Sequence, residues 1–302
     1  MRDARLCQIL FLGLLLGAGV WLRDFSLRPG QVALTFLSGL LMQAVCAKAF
    51  GLRKRGLLSA VITCFSLSIL LRADNLAAHP IAAAAAIGSK FVIRVRGKHL
   101  FNPANLGIGL ALLALPGTWT SPGQWGHDLA FAVWFVVLGA VVTSRARRAD
   151  ISWTFLAFYL GALALRIAWL GQSPAVWTHQ LMSGSLLLFA FFMISDPMTI
   201  PNHPRGRIVH AALVAALAYS WQYALYRPGG VLWALLLCSP AVPIWDAIWP
   251  APKFEWKPDE PKGETDAHRQ TDRTHSEPST KRLPAADPDR RPLGAPVPGH
   301  GA

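Results

Sequence analysis

The stretch KHLFNPANLGIG, residues 98–109, closes a basic loop and opens an unusually short apolar run that ends at Leu115. Asn102 is a favourable N-cap residue, and Pro103 at the first helical position loses no intrahelical hydrogen bond. The stretch therefore predicts a helix that begins at the edge of a membrane. A capped, glycine-bearing helix start in such a place can bind a ligand.

The composition around this stretch indicates a membrane protein. The 302 residues have a mean hydropathy of +0.37 and 15% charged residues, whereas a soluble domain carries roughly 25%. The net charge of +13 belongs to the residues before Pro250, because the tail beyond it holds nine basic and nine acidic residues. Basic loops that face anionic lipid headgroups explain this excess better than nucleic acid does. We therefore expect the lipid bilayer as a partner and no nucleic acid.

Ten apolar runs of near-membrane length follow one another along the chain. They fall at about 6–22, 31–50, 57–72, 76–93, 103–116, 127–144, 151–170, 179–195, 207–226 and 230–249. Alternate loops between them carry fourteen Lys and Arg residues in one set and four in the other, which is a strong positive-inside signal. We predict an all-α polytopic protein of the bacterial inner (plasma) membrane, with ten transmembrane helices and both termini cytoplasmic. The alanine run 82–86 predicts that the fourth helix is buried in the bundle.

The chain divides into two predicted domains. Residues 1–250 form the transmembrane domain. Residues 251–302 are rich in Lys, Asp, Glu, Pro and Ser, a composition that cannot bury a core, so we predict a disordered cytoplasmic tail.

The ten helices also divide into two sets of five, and an odd number of helices per half makes the second half inverted. The fifth run begins NPAN, residues 102–105, and the tenth begins RPGG, residues 227–230. Short or Gly/Pro-interrupted helices at matching positions of inverted repeats point to a central binding site. Chance similarity of two apolar helices is the alternative explanation.

Metal and thiol chemistry are not indicated. The four cysteines lie singly in apolar runs without a C-x-x-C spacing, so iron–sulfur ligation and a disulfide framework are not expected. The histidines lack a carboxylate at a metal-binding spacing. The sequence therefore predicts no metal site and no catalytic residues.

Four segments together resemble a known family. They are FNPA (101–104), LMSGSLLLFAFFMISDPMT (181–199), RGR (205–207) and PIWD (243–246). In this order they are similar to RnfD, a membrane component of the Rnf electron-transport complex, and to NqrB, a membrane component of the sodium-pumping NADH:quinone reductase, over most of residues 50–250. The resemblance implies a flavin-bearing, ten-helix subunit that passes electrons across the membrane together with other membrane redox subunits. It also implies a fold similar to urea transporters, with two inverted five-helix repeats.

The chain departs from this family at the covalent flavin. Family members carry FMN esterified to the Thr of a Ser-x-Ala-Thr element between the FNPA helix and the next span. Here that interval is PGTWTSPGQWG, residues 116–126, and neither Thr118 nor Thr120 has the right neighbours. We predict a divergent member without covalent FMN. A non-covalent flavin, FMN or riboflavin, remains an alternative.

Five polar residues are candidates for cofactor binding: Asn102, Asn105, Asp196, Thr199 and Arg166. Asn102 and Asn105 are capping residues first, and they become site residues only if the two half-repeats meet there. Asp196 and Thr199 lie in the DPMT segment, where the alternative is a helix end. Arg166 can bind an anion such as a flavin phosphate, or its side chain can extend to the interface.

Two expectations concern the partners of the carboxylates. If Asp196 only ends a helix, Arg205 or Arg207 can pair with it. Asp246, near the end of the last run, is expected to be solvated at the interface rather than to serve a proton or cation role.

Two functions remain open. The first is an integral membrane subunit of the Rnf/Nqr electron-transport type. The second is a non-redox solute or ion transporter, or a channel, on the same inverted-repeat scaffold, because a scaffold does not determine function.

Overall fold

The computed structural model describes residues 4–22, 27–52, 56–120 and 129–254. Each of the ten predicted apolar runs contains a helix. The helices are α1 (Ala4–Leu22), α2 (Pro29–Ala49), α3 (Leu57–Leu70), α4 (Ala78–Val92), α5 (Pro103–Ala114), α6 (Leu129–Arg145), α7 (Ala149–Leu170), α8 (Pro174–Leu181), α9 (Gly184–Leu188), α10 (Pro204–Tyr223), α11 (Gly230–Cys238) and α12 (Val242–Ile248). The predicted tail lies outside the described residues from residue 255 onward.

Two short antiparallel sheets lie in the segments that connect the first five helices and follow the fifth. β1 (Leu71–Ala73) pairs with β4 (Thr118–Thr120), with Arg72 opposite Trp119. β2 (Arg94–Val95) and β3 (Lys98–His99) form a hairpin, with Arg94 opposite His99. We call the end of the bundle that carries this hairpin the hairpin end.

The described helices fit an all-α membrane protein. Four helical segments are long and apolar enough to cross a membrane: α1 from Arg5, α2, α7, and the continuous segment Gly230–Ile248. A bent pair, Pro174–Leu181 with Gly184–Met193, gives a fifth crossing if it is one span. Shorter apolar helices lie at Leu57–Leu70, Pro103–Ala114 and Ala132–Arg145. Ten crossings and the orientation of the termini stay predictions.

The eighth apolar run is not the single straight helix that hydropathy predicts. Its helix starts earlier, at Pro174, with the Ser173 side chain as N-cap, and it is interrupted at Ser183, whose backbone is extended (φ −64°, ψ 110°). The two parts are bent by 48°. The second part then widens into a π-helical turn, Phe189–Met193, whose five side chains are all buried. Such turns occur frequently at functional sites.

Helix packing repeats between the two halves of the chain. The most extensive helix contacts in the first half are α2 with α4 and α4 with α5, and in the second half α7 with α10 and α10 with α11. Likewise, α1 packs on α3, and α6 packs on α9 and the π-helical turn. The two halves thus share this order of helix contacts, and an internal repeat stays a prediction.

Close approach of the short helices depends on glycine. A Cβ atom on Gly107 of α5 would lie 2.7 Å from the Ala82 carbonyl oxygen, and one on Gly230 of α11 would lie 2.8 Å from the Ala218 carbonyl oxygen. Ala82, Ala83 and Ala86 are at most 1% exposed. One face of the alanine-rich fourth helix is therefore buried as predicted, while Ile81 and Val92 of the same helix are 50% and 77% exposed.

The two short helices also contact each other. The Asn105 side-chain amide of α5 donates to the carbonyl of Leu232 in α11 at 3.0 Å. A Cβ on Gly109 would lie 3.0 Å from the Leu236 side chain. The two segments that the sequence aligned as half-repeats therefore meet inside the bundle.

Candidate functional site

A cavity of about 70 Å³ with both polar and apolar lining residues lies at the hairpin end. It is enclosed by α1, α3, the hairpin, the start of α5, the end of α6 and the turn that follows the π-helical segment. A water molecule needs roughly 10–15 Å³ of such volume, so the cavity has room for roughly five to seven water molecules. Its polar lining is Arg5, Gln8, Ser59, Thr63, Ser66, His99, Asn102, Thr143, Ser195 and Asp196.

Asp196 supplies the carboxylate of this cavity. One of its oxygens accepts the backbone N–H of Met198 at 3.1 Å, and the other lies 3.5 Å from the Asn102 side-chain nitrogen. Burial raises the pKa of Asp196, while the Met198 N–H and the positive charges of Lys90 and Lys98 lower it in part. Because burial is the largest effect, the site favours the protonated carboxyl more than water does.

Asn102 joins the start of α5 to this carboxylate. Its side-chain oxygen accepts the backbone N–H of Asn105 at 3.1 Å, so the predicted N-cap is confirmed. Its amide nitrogen donates to the carbonyl of Met193, at the end of the π-helical turn, at 3.3 Å. The Asn102 side chain therefore caps α5 with its oxygen, and with its nitrogen it contacts the segment Met193–Asp196.

His99 lines the cavity from the hairpin. Its ring donates a hydrogen bond to the backbone carbonyl of Lys90, and its Nδ1 has no partner among the described residues. The N–H is therefore on Nε2, and Nδ1 keeps a free lone pair. Burial lowers the pKa of His99 to about 4, and Lys90 and Arg94 lower it further, so the ring is neutral near pH 7.

Lys90 is buried beside the same cavity, at the end of α4. It is 5% exposed, and its ammonium donates to both the carbonyl and the hydroxyl of Ser59 at 3.1 Å. Sequence reasoning missed Lys90 and His99. The signal available for Lys90 was a lysine inside an apolar run, which is costly in a membrane.

A second polar group, which we call the polar chain, crosses the hairpin end. It consists of Lys98, Asp246, Asn202, Arg207 and Asp150. Lys98 Nζ lies 2.8 Å from Asp246 Oδ2, and the two side chains are 8% and 11% exposed. Arg207 Nε lies 2.6 Å from Asp150 Oδ2 and Arg207 Nη1 donates to the Asn202 carbonyl. The Asn202 N–H donates to Asp246 Oδ1 at 2.7 Å.

The polar chain corrects two expectations. Asp246 is not solvated at the interface, because Lys98 and the Asn202 backbone occupy both of its oxygens. Arg207 does not pair with Asp196, because Asp150 at the start of α7 lies within its reach. Burial lowers the pKa of Lys98, and the hydrogen bond and charge of Asp246 offset part of that change.

The five predicted site residues do not form one site. Asn102 and Asp196 meet in the cavity, whereas Thr199 donates to the carbonyl of Asp196 and serves the turn. Asn105 holds α11. Arg166 lies over the ring of Tyr223 at 5.3 Å, sixteen residues along α7 from Asp150, which is about 24 Å of helix.

A flavin does not fit this arrangement. Pockets that enclose a ligand of that size measure roughly 300–1,000 Å³, against about 70 Å³ here. The donors that a flavin phosphate and ring system need are divided between the two ends of α7. The described residues therefore do not hold a flavin within this cavity.

The interval expected to carry covalent FMN is described only to Thr120. The Thr118 hydroxyl donates to the carbonyls of Ala111 and Leu115 and caps the end of α5. Thr120 pairs with Leu71 across the sheet. Residues 121–126 lie outside the described residues, and the absence of covalent FMN stays a prediction.

Metal ligands are not grouped in the described part of the chain. Nowhere in residues 4–22, 27–52, 56–120 and 129–254 do three His, Cys, Asp or Glu side chains come together in a way that could hold a metal ion.

Comparison with known proteins supports the resemblance in the second half of the chain. Residues 126–254 match the model of the NQR2, RnfD, RnfE family. This range contains the DPMT turn, Arg207 and Asp246 but begins after α5, so FNPA lies outside it.

Three curated relatives share one name, which describes each as the D component of an ion-translocating oxidoreductase complex. The protein of Haemophilus influenzae is 32% identical over 130 residues, which are 43% of this chain and 35% of that protein. The protein of Tolumonas auensis is 42% identical over 67 residues (22% and 19%), and that of Actinobacillus pleuropneumoniae serotype 7 is 30% identical over 129 residues (41% and 35%). The alignment with the Haemophilus protein thus spans about a third of that relative's length.

Proposed function

We propose that this chain, whose residues 126–254 match the model of the NQR2, RnfD, RnfE family, is an integral membrane subunit of an ion-translocating oxidoreductase complex. The observation that carries the proposal is the family match, together with the shared name of the curated relatives. The apolar helices support it, since four or five of them are long enough to cross a membrane. Other membrane redox subunits are its proposed partners.

The topology belongs to the same proposal. We place ten crossings in the bacterial inner membrane, with both termini cytoplasmic and two inverted repeats of five helices. Fourteen basic residues in one set of loops against four in the other support this orientation. The repeated order of helix contacts and the meeting of α5 with α11 support the repeats.

In this orientation the hairpin end faces the cytoplasm, and the cavity around Asp196 becomes a hydrated site just inside the membrane. We assign this cavity to the translocated ion rather than to a flavin. A carboxylate in a chain with seven acidic residues before Pro250 is costly to keep at a membrane boundary. Its position in a cavity that admits several water molecules supports a role in ion uptake.

A non-redox transporter or channel on the same scaffold is the second candidate. The observation that favours it is the separation of Arg166 from Asn102 and Asp196, so that these predicted flavin contacts do not meet in one site. A non-covalent flavin, FMN or riboflavin, bound at an interface with a partner subunit would again favour electron transport over the transporter function.

The deciding experiment is purification of the tagged chain from its own membranes in a mild detergent. We expect redox subunits to co-purify, identified by mass spectrometry, and a flavin absorption spectrum to accompany the complex. A denaturing gel under ultraviolet light should show no fluorescence at the band of this chain, since covalent FMN is predicted absent. Recovery of the chain alone, colourless, would refute the electron-transport proposal, and solute uptake into liposomes would then test the second candidate.

A further inference from the structure

We propose that the cavity exchanges a proton rather than a metal cation, with Asp196 as the group that binds the proton and His99 as the acceptor that holds the protonated form. The inference rests on the proposed role of this cavity in ion translocation. It goes further by naming the ion and a positioning residue that sequence analysis did not find.

The ionised form of Asp196 has its donors in place. The Met198 N–H lies 3.1 Å from one oxygen, and the Asn102 amide lies 3.5 Å from the other. The second contact is at the limit of a hydrogen bond, so that oxygen has acceptor capacity left for water. The carboxylate is thus held by two neutral donors and not by a direct ion pair.

The protonated form needs an acceptor for its new O–H group, and His99 supplies one. Nδ1 of His99 is buried without a partner among the described residues, in the same cavity. A buried acceptor that is left unsatisfied costs roughly 1–3 kcal/mol, so its presence calls for a ligand. Water in the cavity can accept the carboxyl O–H and donate to Nδ1, because both side chains line the cavity and its volume admits water.

The charges around the cavity oppose a metal cation. Arg5 of α1 lines the cavity. Lys90 of α4 donates to the hydroxyl of Ser59, which is a lining residue on α3. Lys98 precedes the lining residue His99 in the hairpin. The polar groups from α3, the start of α5 and α6 are neutral hydroxyls and an amide. Asp196 is the acidic side chain that lines the cavity, whereas Asp246 is already paired with Lys98 at 2.8 Å. The positive charges of Arg5 and Lys90 would repel a metal ion bound there.

The proton step is balanced within the cavity. A hydronium ion arriving from the cytoplasmic side transfers its proton to a carboxylate oxygen of Asp196, where an O–H bond forms, and leaves a neutral water molecule. Release is the reverse. His99 stays neutral near pH 7 because burial and the positive charges of Lys90 and Arg94 lower its pKa to about 4. It orients the water and does not carry the proton.

Infrared spectroscopy of the purified chain in lipid nanodiscs tests this directly. We expect a carboxyl C=O band that titrates at a higher pH than a solvated aspartate, shifts in D₂O, and is lost in Asp196→Asn. In His99→Leu the band should move to higher frequency because the O–H loses its acceptor. His99→Gln keeps an acceptor oxygen and should restore the original position. Asp150→Asn is the matched control and should leave the band unchanged.

Sodium distinguishes the two kinds of ion. Replacing choline chloride by sodium chloride at constant ionic strength should leave the titration midpoint of the band where it was. A midpoint that falls as sodium rises would overturn the proposal, because sodium then competes for the carboxylate. An unchanged band in His99→Leu would overturn the role of His99.

Folding of the variants is checked by size-exclusion profile. If Asp196→Asn does not fold, Asp196→Glu replaces it, and we expect the carboxyl C=O band to shift in frequency in that variant. An unshifted band in folded Asp196→Glu would refute the assignment of the band to Asp196. The spectra are recorded on the isolated chain, so a result that contradicts them refutes the proton site and leaves the proposed function untouched. Failure of partner subunits to co-purify concerns the proposed function.

Discussion

Removing the Lys98 ammonium is expected to destabilise the protein strongly, because it leaves Asp246 buried without its counter-ion. Lys98 Nζ bonds the Ile200 carbonyl at 2.5 Å, Asp246 at 2.8 Å and the Asn202 side chain at 3.1 Å. Breaking a buried ion pair costs about 3–5 kcal/mol. Asp246 keeps the Asn202 N–H at 2.7 Å, so we expect the lower end of that range for Lys98→Met.

The assay is the melting temperature of the purified protein in detergent, followed by intrinsic fluorescence. At about 2–4 °C per kcal/mol for a domain of this size, a loss of about 3 kcal/mol lowers the melting temperature by about 6–12 °C. The double variant Lys98→Met/Asp246→Leu should recover at least half of that loss, since no buried charge is then left alone.

Lys253→Met is the matched control. Lys253 also donates to a backbone carbonyl, that of Gly97 at 2.6 Å, but it is exposed. We expect a change of less than about 1 kcal/mol. A melting temperature of Lys98→Met equal to that of the control would refute the view that this pair holds the hairpin end together.

Three further predictions use the same melting assay. Asn102→Ala should cost about 1–3 kcal/mol, because it removes the N-cap of α5 and the hydrogen bond from the Asn102 amide to the Met193 carbonyl; Asn102→Asp should retain the cap. Gly107→Ala should cost about 1–3 kcal/mol by overpacking against α4, whereas Gly161→Ala, with no atom within 4 Å, should be neutral or slightly stabilising. The pKa of His99 is about 4 in the fold and about 6.5 in an unfolded chain, so the unfolded state binds more protons between these values. Stability should therefore fall as the pH drops from about 6.5 to 4, and His99→Gln should flatten that fall; an equally steep fall in His99→Gln would contradict it.

Local rules predicted the helix starts well. The Asn-Pro step at residue 102 places a cap and a proline at the first turn of α5, and the structure begins the helix there. Apolar runs likewise located a helix at each of ten positions, since burying or embedding an apolar stretch depends mainly on its length and composition.

Contacts between distant residues could not be predicted in the same way. Lys98 and Asp246 are 148 positions apart, and no periodicity relates them. Arg207 pairs with Asp150 and not with Asp196, because α7, which carries Asp150, packs beside α10. Hydropathy measures the length of an apolar run and not its direction, so the 48° bend at Ser183 was invisible to it. The cavity is built from six separate parts of the chain and exists only once they have assembled.

The repeated packing of the two halves has a consequence for how the protein is made. The most extensive helix contacts lie within each half, and the joints between halves are smaller, chiefly α1 with α6 and α5 with α11. Because synthesis proceeds from the N-terminus, the first five helices can assemble while the ribosome is still translating the second half. The cavity and the Lys98–Asp246 pair, which need both halves, then form last, at the completion of membrane insertion.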